Sequence, residues 1–368
     1  MEIEVERMYL AALQSVPGIG SAKLRRLAAH FGSARGAWEA SQEELAASGA
    51  LDAPALAALA ALRRRPPDFE KLARSWEARG IRLLAWYDAA YPSKLKEIFK
   101  PPALLYCRGR LAADGKRIAV VGARQATAYG KSAAQAIARA LAESGVEIVS
   151  GAARGIDAAA HQGALDARGS TVAVLGCGVD VAYPAENKRL LDEIAECGAV
   201  VSEYAPGTRP NAKFFPARNR IISGLSDGIV VAEAALKSGA LITAEFALSE
   251  GRDVFAVPGS VFSPASQGCH RLIQQGAKLT SCAADILEEY AWDGAPDGGA
   301  PQEAALSAEE KRIYDVLDVE TPRALDEIIV KARADASQIG VILLQLELRG
   351  LVRQCSPQRY VRSVKEGL

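Results

Sequence analysis

Apolar and polar positions along the chain fall into three regimes. Residues 9–62 are alanine-rich with apolar positions at helical spacing, which predicts an N-terminal bundle of helices. From Arg117 the pattern becomes a series of short apolar runs: Ile118–Gly122, Val146–Gly151, Thr171–Gly176, Ala199–Glu203, Gly228–Glu233 and Asp253–Gly259. Helical segments separate them. Buried strands alternating with helices predict an α/β fold with a doubly wound, Rossmann-like parallel sheet. Past Ala308 the helical period returns over 308–317, 324–332 and 336–349. Two short strands are expected at 351–353 and 359–361, with a turn at Pro357. Three helices and a hairpin predict a winged helix.

These regimes set the expected domains. Residues 1–65 form a helix-hairpin-helix-like unit, and 66–116 a connector with turns and a short strand. Residues 117–290 form the Rossmann-like domain, 291–305 a Gly/Pro/Ala-rich linker and 306–368 the winged helix. Within the first unit, Val16-Pro17-Gly18-Ile19-Gly20-Ser21 has the Gly-x-Gly of a helical hairpin, whose free amides can hold a phosphate. Structural use and DNA contact are both open for it. The winged unit's third helix is mostly apolar, which favours a structural or protein-contact role over reading bases.

Ligands on a doubly wound sheet sit beyond the carboxyl ends of the strands. Those ends carry Gly122-Ala123-Arg124, Gly151-Ala152-Ala153-Arg154-Gly155, Gly176-Cys177-Gly178 and Lys237-Ser238-Gly239. Small residues and cations on one edge make a phosphate-binding rim. Between the fourth and fifth runs lies Lys213-Phe214-Phe215-Pro216-Ala217-Arg218-Asn219-Arg220, at the expected start of a helix. Pro216 suits the first helical position. Cations beside aromatic rings are what a single-stranded nucleic acid needs. Phe214 reads more simply as core. Arg218 and Arg220, two apart, point to different sides of the helix, so one of them faces a ligand.

Charge narrows this picture. Lys+Arg and Asp+Glu both total 44, so the chain is formally neutral, and a nucleic acid would bind through a local patch. The 6 cysteines show no zinc-ligand spacing, and with only 3 histidines no metal site is expected. The acidic start and the lack of a long apolar run predict a cytoplasmic protein without a membrane span.

Several catalytic patterns fail. Gly130-Lys131-Ser132 lacks the glycine that a P-loop needs at 125, where Gln125 stands. Gly176-Cys177-Gly178 has Val181 where a dinucleotide fingerprint needs glycine. Asp157 and His161 could pair on a helix, and Cys269-His270 could be nucleophilic, but a helix-start carboxylate and an interior histidine are simpler readings. No cofactor is expected.

An ordered set of motifs then changes the balance. It runs through Gly122-Ala123-Arg124, Ser150-Gly151-x-Ala153-x-Gly155-Ile156-Asp157, Asp180-x-x-Tyr183-Pro184 and Phe215-Pro216-x-Arg218-Asn219-Arg220, to Ser238-Gly239-Ala240-Leu241-Ile242-Thr243 and Val257-Pro258-Gly259. Over residues 85–290 the chain resembles the DprA (Smf) family of DNA-processing proteins. The resemblance implies a binding protein, not an enzyme. Such a protein holds and protects single-stranded DNA during natural transformation, loads the recombinase RecA and displaces single-strand-binding protein. It also implies a homodimer through the Rossmann-like domain. Arg124, Lys213, Phe215, Arg218 and Arg220 match the family's DNA pocket. With Gly122, Asn219, Ser238, Gly239 and Thr243 they make up the expected DNA-binding set. Two departures stand out: Ala123 replaces the usual serine, and Gly268-Cys269-His270 replaces Gly-Thr/Ser-Asn. The alternatives are a nucleotide enzyme of the phosphoribohydrolase type, with Glu203 or Glu233 as carboxylate, and a protein-interaction hub. The first lacks the Pro-Gly-Gly-x-Gly-Thr loop.

Overall fold

A computed structural model describes residues 2–292, 306–319, 321–332, 339–348, 351–356 and 358–362. The chain forms two compact units, one running to Ile286 and the other starting at Leu287. Most of the expected linker, the Pro357 turn and the two ends of the expected 336–349 helix lie outside the described residues.

The first unit is built on a nine-stranded sheet. Its strands are β1 (Ile81–Ala85), β2 (Leu104–Gly109), β3 (Arg117–Gly122), β4 (Glu147–Ser150), β5 (Thr171–Leu175), β6 (Ala199–Ser202), β7 (Gly228–Glu233), β8 (Asp253–Ala256) and β9 (Lys278–Leu279), in the order β1-β2-β6-β5-β4-β3-β7-β8-β9. From β6 to β9 every pairing is parallel. The chain winds outward from β3 to β6, then returns to place β7 on the other side of β3. That reversal is a topological switch point, and the crevice beyond the strand ends there is the usual place for a ligand.

Strand burial explains the near-continuous apolar runs. Every residue of β5 and β7 is buried, because helices cover both faces. Alternate residues serve different cores. Ala173, Leu175 and Val200 pack with Leu13, Leu24 and Leu59 of the N-terminal helices. Val172, Val174 and Val201 pack with Ile221, Ile222 and Ala244 of the helices Phe214–Leu225 and Gly239–Ser249. The N-terminal helices therefore share a core with the sheet rather than closing one of their own.

The expected connector is part of the sheet as well. β1 and β2 pair antiparallel, Ile81 opposite Arg108, and β2 pairs antiparallel with β6, Tyr106 opposite Ser202. The Tyr91 hydroxyl donates to Pro102 O at 2.6 Å and fixes the turn between them. β2 is the short strand expected in the connector, and β1 is a strand the sequence reading did not expect.

The second unit contains the helices Ala308–Val316, Leu325–Ala332 and Ile339–Leu348. They pack on a three-stranded sheet of β10 (Arg323–Ala324), β11 (Val352–Ser356) and β12 (Arg359–Arg362), in the order β10-β12-β11. Ile339, Leu343 and Leu346 are buried with Ile313, Ile328 and Val352, so the third helix supplies this unit's own core. Among the described residues no helix is long and apolar enough to cross a membrane.

Candidate nucleic-acid interface

β3 ends at Gly122, under the start of the helix Ile156–Asp166. A Cβ on Gly122 would lie 2.6 Å from Ile156 Cγ1 and 2.7 Å from Glu233 O, so only glycine lets the strand end pass there. The next residue is pinned on both sides. Ala123 N donates to Glu233 O at 2.8 Å, and Ala123 O accepts from Ile156 N at 3.2 Å. Arg124 emerges from this clamp into solvent. Its guanidinium sits over the ring of Phe215, 5.2 Å from the centroid.

Phe215 is half-buried at the opening of the helix Phe214–Leu225. The ring is flanked a second time, by Tyr183, stacked at 5.4 Å with 30° between the planes. A Cβ on Gly176 would come within 2.9 Å of Phe215 Cδ1. The glycine after β5 thus makes room for the ring at the strand's end, which gives it a role unrelated to dinucleotide binding. Lys213 precedes the helix with an exposed side chain. The topology therefore brings Arg124, Lys213 and Phe215 to one edge. Tyr183 was not among the expected site residues, although its motif, Asp180-x-x-Tyr183-Pro184, is legible in the sequence. It is 42% exposed, so its ring offers a face to solvent beside Phe215.

The helix starts at Phe214, placing Pro216 third rather than first, still within the turn where a missing N–H costs nothing. Phe214 is half-buried and stacks on Tyr204 at 4.2 Å, so it lies against the sheet's rim rather than inside a core.

Arg218 corrects an expectation. It is only 4% exposed, so its guanidinium is an internal strut and faces no ligand. Arg218 Nη1 donates to Gly151 O at 2.8 Å and to Val174 O, tying the helix to the ends of β4 and β5. A Cβ on Gly151 would collide with this guanidinium at 2.5 Å. Burial pushes the Asp157 carboxyl up and the Arg218 guanidinium down from their ordinary values, and the charge of each opposes the other's shift. Asn219 Oδ1 accepts from Arg218 Nε at 3.2 Å and orients it. Arg220 projects elsewhere and pairs with Glu203, Nη2 to Oε2 at 2.5 Å.

The Lys237-Ser238-Gly239 turn also lies on the edge, past β7. Ser238 Oγ accepts from Ala240 N at 3.3 Å and caps the helix Gly239–Ser249. Gly239 is exposed with open space around it, so no tight packing demands a glycine there. Thr243 is 2% exposed, so it fills the interior of its helix and offers no contact to a ligand. Lys237, exposed beside the cap, is a cation on this rim outside the expected set.

The catalytic candidates are occupied by structural work. Glu233 is buried, and its Oε1 accepts from Thr127 N at 3.0 Å while Oε2 takes the Thr127 hydroxyl. It fixes the residue that caps the helix Ala128–Glu143, and Lys131 lies inside that helix, not on a phosphate loop. Glu203 is taken up by Arg220 and by the Ser21 hydroxyl at 2.7 Å. His161 pairs with Thr171, Nδ1 to Oγ1 at 2.7 Å, and not with Asp157; burial pushes it down to about 3. Cys269 is buried with its thiol pushed up to about 11, while His270 Nε2 meets Gly259 O at 3.0 Å. Burial keeps that thiol protonated and unreactive. Among the described residues no cluster of His, Cys, Asp or Glu could hold a metal ion.

Comparison with known proteins identifies the scaffold. The family model described as DNA recombination-mediator protein A matches residues 82–291, and the DprA winged helix domain matches 298–356. The chain belongs to the DprA/Smf family. Among its relatives is DNA processing protein DprA of Streptococcus pneumoniae, 50% identical over 204 residues, which span 55% of this chain and 72% of that protein. Protein Smf of Synechocystis is 34% identical over an alignment covering 97% of this chain and 99% of its own. The X-ray structure of the S. pneumoniae protein aligns with a TM-score of 0.68 at 39% identity, covering 77% of this chain and 97% of that one. A Helicobacter pylori structure that describes that protein's single-stranded DNA binding mode aligns with a TM-score of 0.51 at 30% identity, over 57% of this chain and 95% of the other. The family match begins within β1, at residue 82, and includes all of β2.

Proposed function

We propose that this chain binds single-stranded DNA, tolerant of sequence, along the carboxyl edge of its parallel sheet. The observation that carries the reading is Arg124 poised over Phe215, with Tyr183 stacked on the same ring. A guanidinium beside exposed π-faces offers a phosphate a charge and a base a platform. Arg124 and Lys213 take phosphates, together with the backbone at Gly122 and Gly239 and the Ser238 hydroxyl. Phe215 and Tyr183 meet bases. Arg218 and Asn219 hold the helix that presents them. The single-stranded DNA binding mode described for the H. pylori relative supports this reading.

The function is binding, not catalysis: the chain protects the strand and loads RecA onto it in transformation and homologous recombination. It works as a homodimer through the sheet-bearing unit and displaces single-strand-binding protein. A phosphoribohydrolase activity is not favoured, since Glu203 and Glu233 are both engaged within the protein. A mobility-shift assay on single- and double-stranded DNA of equal length tests the reading. Preference for the single strand is the expected result, because a stacked duplex must first be unpaired to reach the rings. Equal affinity for both forms contradicts it. RecA assembly on DNA coated with single-strand-binding protein, with and without this chain, tests the loading step.

A further inference from the structure

The helix that carries Phe215 has a second working side. Arg220, on that side, lines a cleft of about 770 Å³ between the Gly18–Lys23 hairpin, the Phe99–Lys100 loop and the end of β6. Lys23, Arg25, Lys100 and Arg220 line it; Glu203 is the one carboxylate among the lining residues, and Asp52 pairs with Lys23 at 2.7 Å from outside the cleft, so the four cations face two carboxylates. Both Glu203 oxygens are already engaged, by Ser21 and by Arg220. The cleft therefore presents an excess of cations to whatever enters.

Its polar groups are also incompletely satisfied. Arg220 Nη1, Arg25 Nε and Gln14 Oε1 are buried without a hydrogen-bond partner, and all three residues line the cleft. Buried polar atoms are normally paired, so such a concentration marks a place where a ligand or its water completes the network. At the mouth stands Phe99, 86% exposed, with Lys100 Nζ 5.4 Å from its ring centroid. No side chain caps the helix Ser21–Phe31, and its first turn holds no acidic residue. Cations, an open ring and uncapped amides repeat the chemistry of the Arg124–Phe215 site.

The two places are continuous. Tyr204 lines the cleft and stacks on Phe214, the neighbour of Phe215. We propose that the cleft is a second subsite for the same single strand, taking phosphates at Lys100 and Arg220 and a base at Phe99. This rests on the reading of the first site. It gives the N-terminal hairpin, docked on the sheet through Ser21 and Glu203, a part in holding DNA as well as in packing.

The test uses the full chain with two oligothymidylates, about 5 and about 16 nucleotides long, within the range that single folds of this kind of chemistry cover. The variants are Lys100→Ala and Phe99→Ala, both at exposed positions, with Arg124→Ala as reference. Lys100→Ala weakens the long oligomer and lowers its log–log salt slope by ~0.7, the share of one phosphate contact. Phe99→Ala weakens the long oligomer about tenfold with no change of slope. Neither alters binding of the short oligomer, whereas Arg124→Ala weakens both. Parental binding of the long oligomer by both variants overturns the cleft, as does equal weakening of both lengths. Should Arg124→Ala bind like the parent while Lys100→Ala still loses the long oligomer, the first site falls and the cleft stands. Thymidine monophosphate competing at the cleft as strongly as the long oligomer also overturns the proposal, since the cleft would then hold free nucleotides.

Discussion

The guanidinium of Arg124 lies 5.2 Å from the centroid of the Phe215 ring, although one follows β3 and the other opens the helix before β7. Parallel winding places both at the same edge; Gly176 clears the space for the Phe215 ring, and Gly122 lets the end of β3 pass beneath Ile156. Neither residue forms the interface alone. The ring orients the cation by its quadrupole, and Tyr183, stacked on the same ring, adds an exposed aromatic beside the pair.

Arg218 is expected to act through the fold. Arg218→Met leaves Gly151 O and Val174 O without their donor and Asp157 without its nearby cation. Breaking a buried charge arrangement in this way costs about 3–5 kcal/mol. Thermal or urea unfolding of the variant checks this. Unchanged stability with lost DNA binding would show instead that Arg218 reaches the ligand.

A second prediction concerns pH. Thr171 Oγ1 donates to Ile148 O at 2.7 Å, so His161 Nδ1 must donate to Thr171, which leaves Nε2 as a buried acceptor without a partner. The imidazole is neutral in the folded chain, with its pKa depressed from 6.5 to about 3, while the unfolded chain takes up a proton below 6.5. Stability from this group is therefore fully present above 6.5 and declines as pH falls towards 3. Between pH 7 and pH 5 the parent loses about 2 kcal/mol more than His161→Asn, which cannot titrate. Parallel pH profiles for the two proteins in urea unfolding would contradict the assignment.

Lys131 provides a control. It lies within the helix Ala128–Glu143, whose cap is Thr127, and no glycine loop surrounds it. Lys131→Ala is expected to leave oligonucleotide binding unchanged, and neither parent nor variant turns over ATP. ATP hydrolysis that disappears in the variant would restore the nucleotide-binding reading of Gly130-Lys131-Ser132.

Much of this was legible in the chain itself, for reasons that differ from residue to residue. Doubly covered strands leave near-continuous apolar runs, so β3 to β8 could be read directly, and parallel winding put Arg124 and the Phe215 segment on one edge. β2 was expected as a short strand of a connector but not as a member of the sheet, and β1 escaped because an antiparallel edge strand ahead of turns at Pro92, Pro101 and Pro102 looks like part of a connector. Arg218 sits in a motif of exposed composition, yet helix phase turns it inward, and only the packed structure shows which face is covered; Thr243, in the apolar stretch Ala240-Leu241-Ile242-Thr243-Ala244, is buried as a helix-interior residue. Sequence spacing told that Arg218 and Arg220 diverge, but not that one is buried and the other paired with Glu203. Tyr183 and Lys237 stood in motifs that the sequence showed, Asp180-x-x-Tyr183-Pro184 and Lys237-Ser238-Gly239, yet were left out of the expected set because only the packed structure puts the Tyr183 ring on Phe215 and leaves Lys237 exposed beside the cap.

The most direct test titrates a single-stranded oligonucleotide against the parent, Arg124→Ala and Phe215→Ala at several salt concentrations. Arg124→Ala should bind more weakly, with a log–log salt slope flatter by ~0.7, because it loses one phosphate contact. Phe215→Ala should lose about 1–3 kcal/mol at unchanged slope, because stacking carries no charge. Parental affinity in Arg124→Ala, or a slope change in Phe215→Ala as large as that of the charge variant, would contradict a shared phosphate-and-base site at the sheet's carboxyl edge.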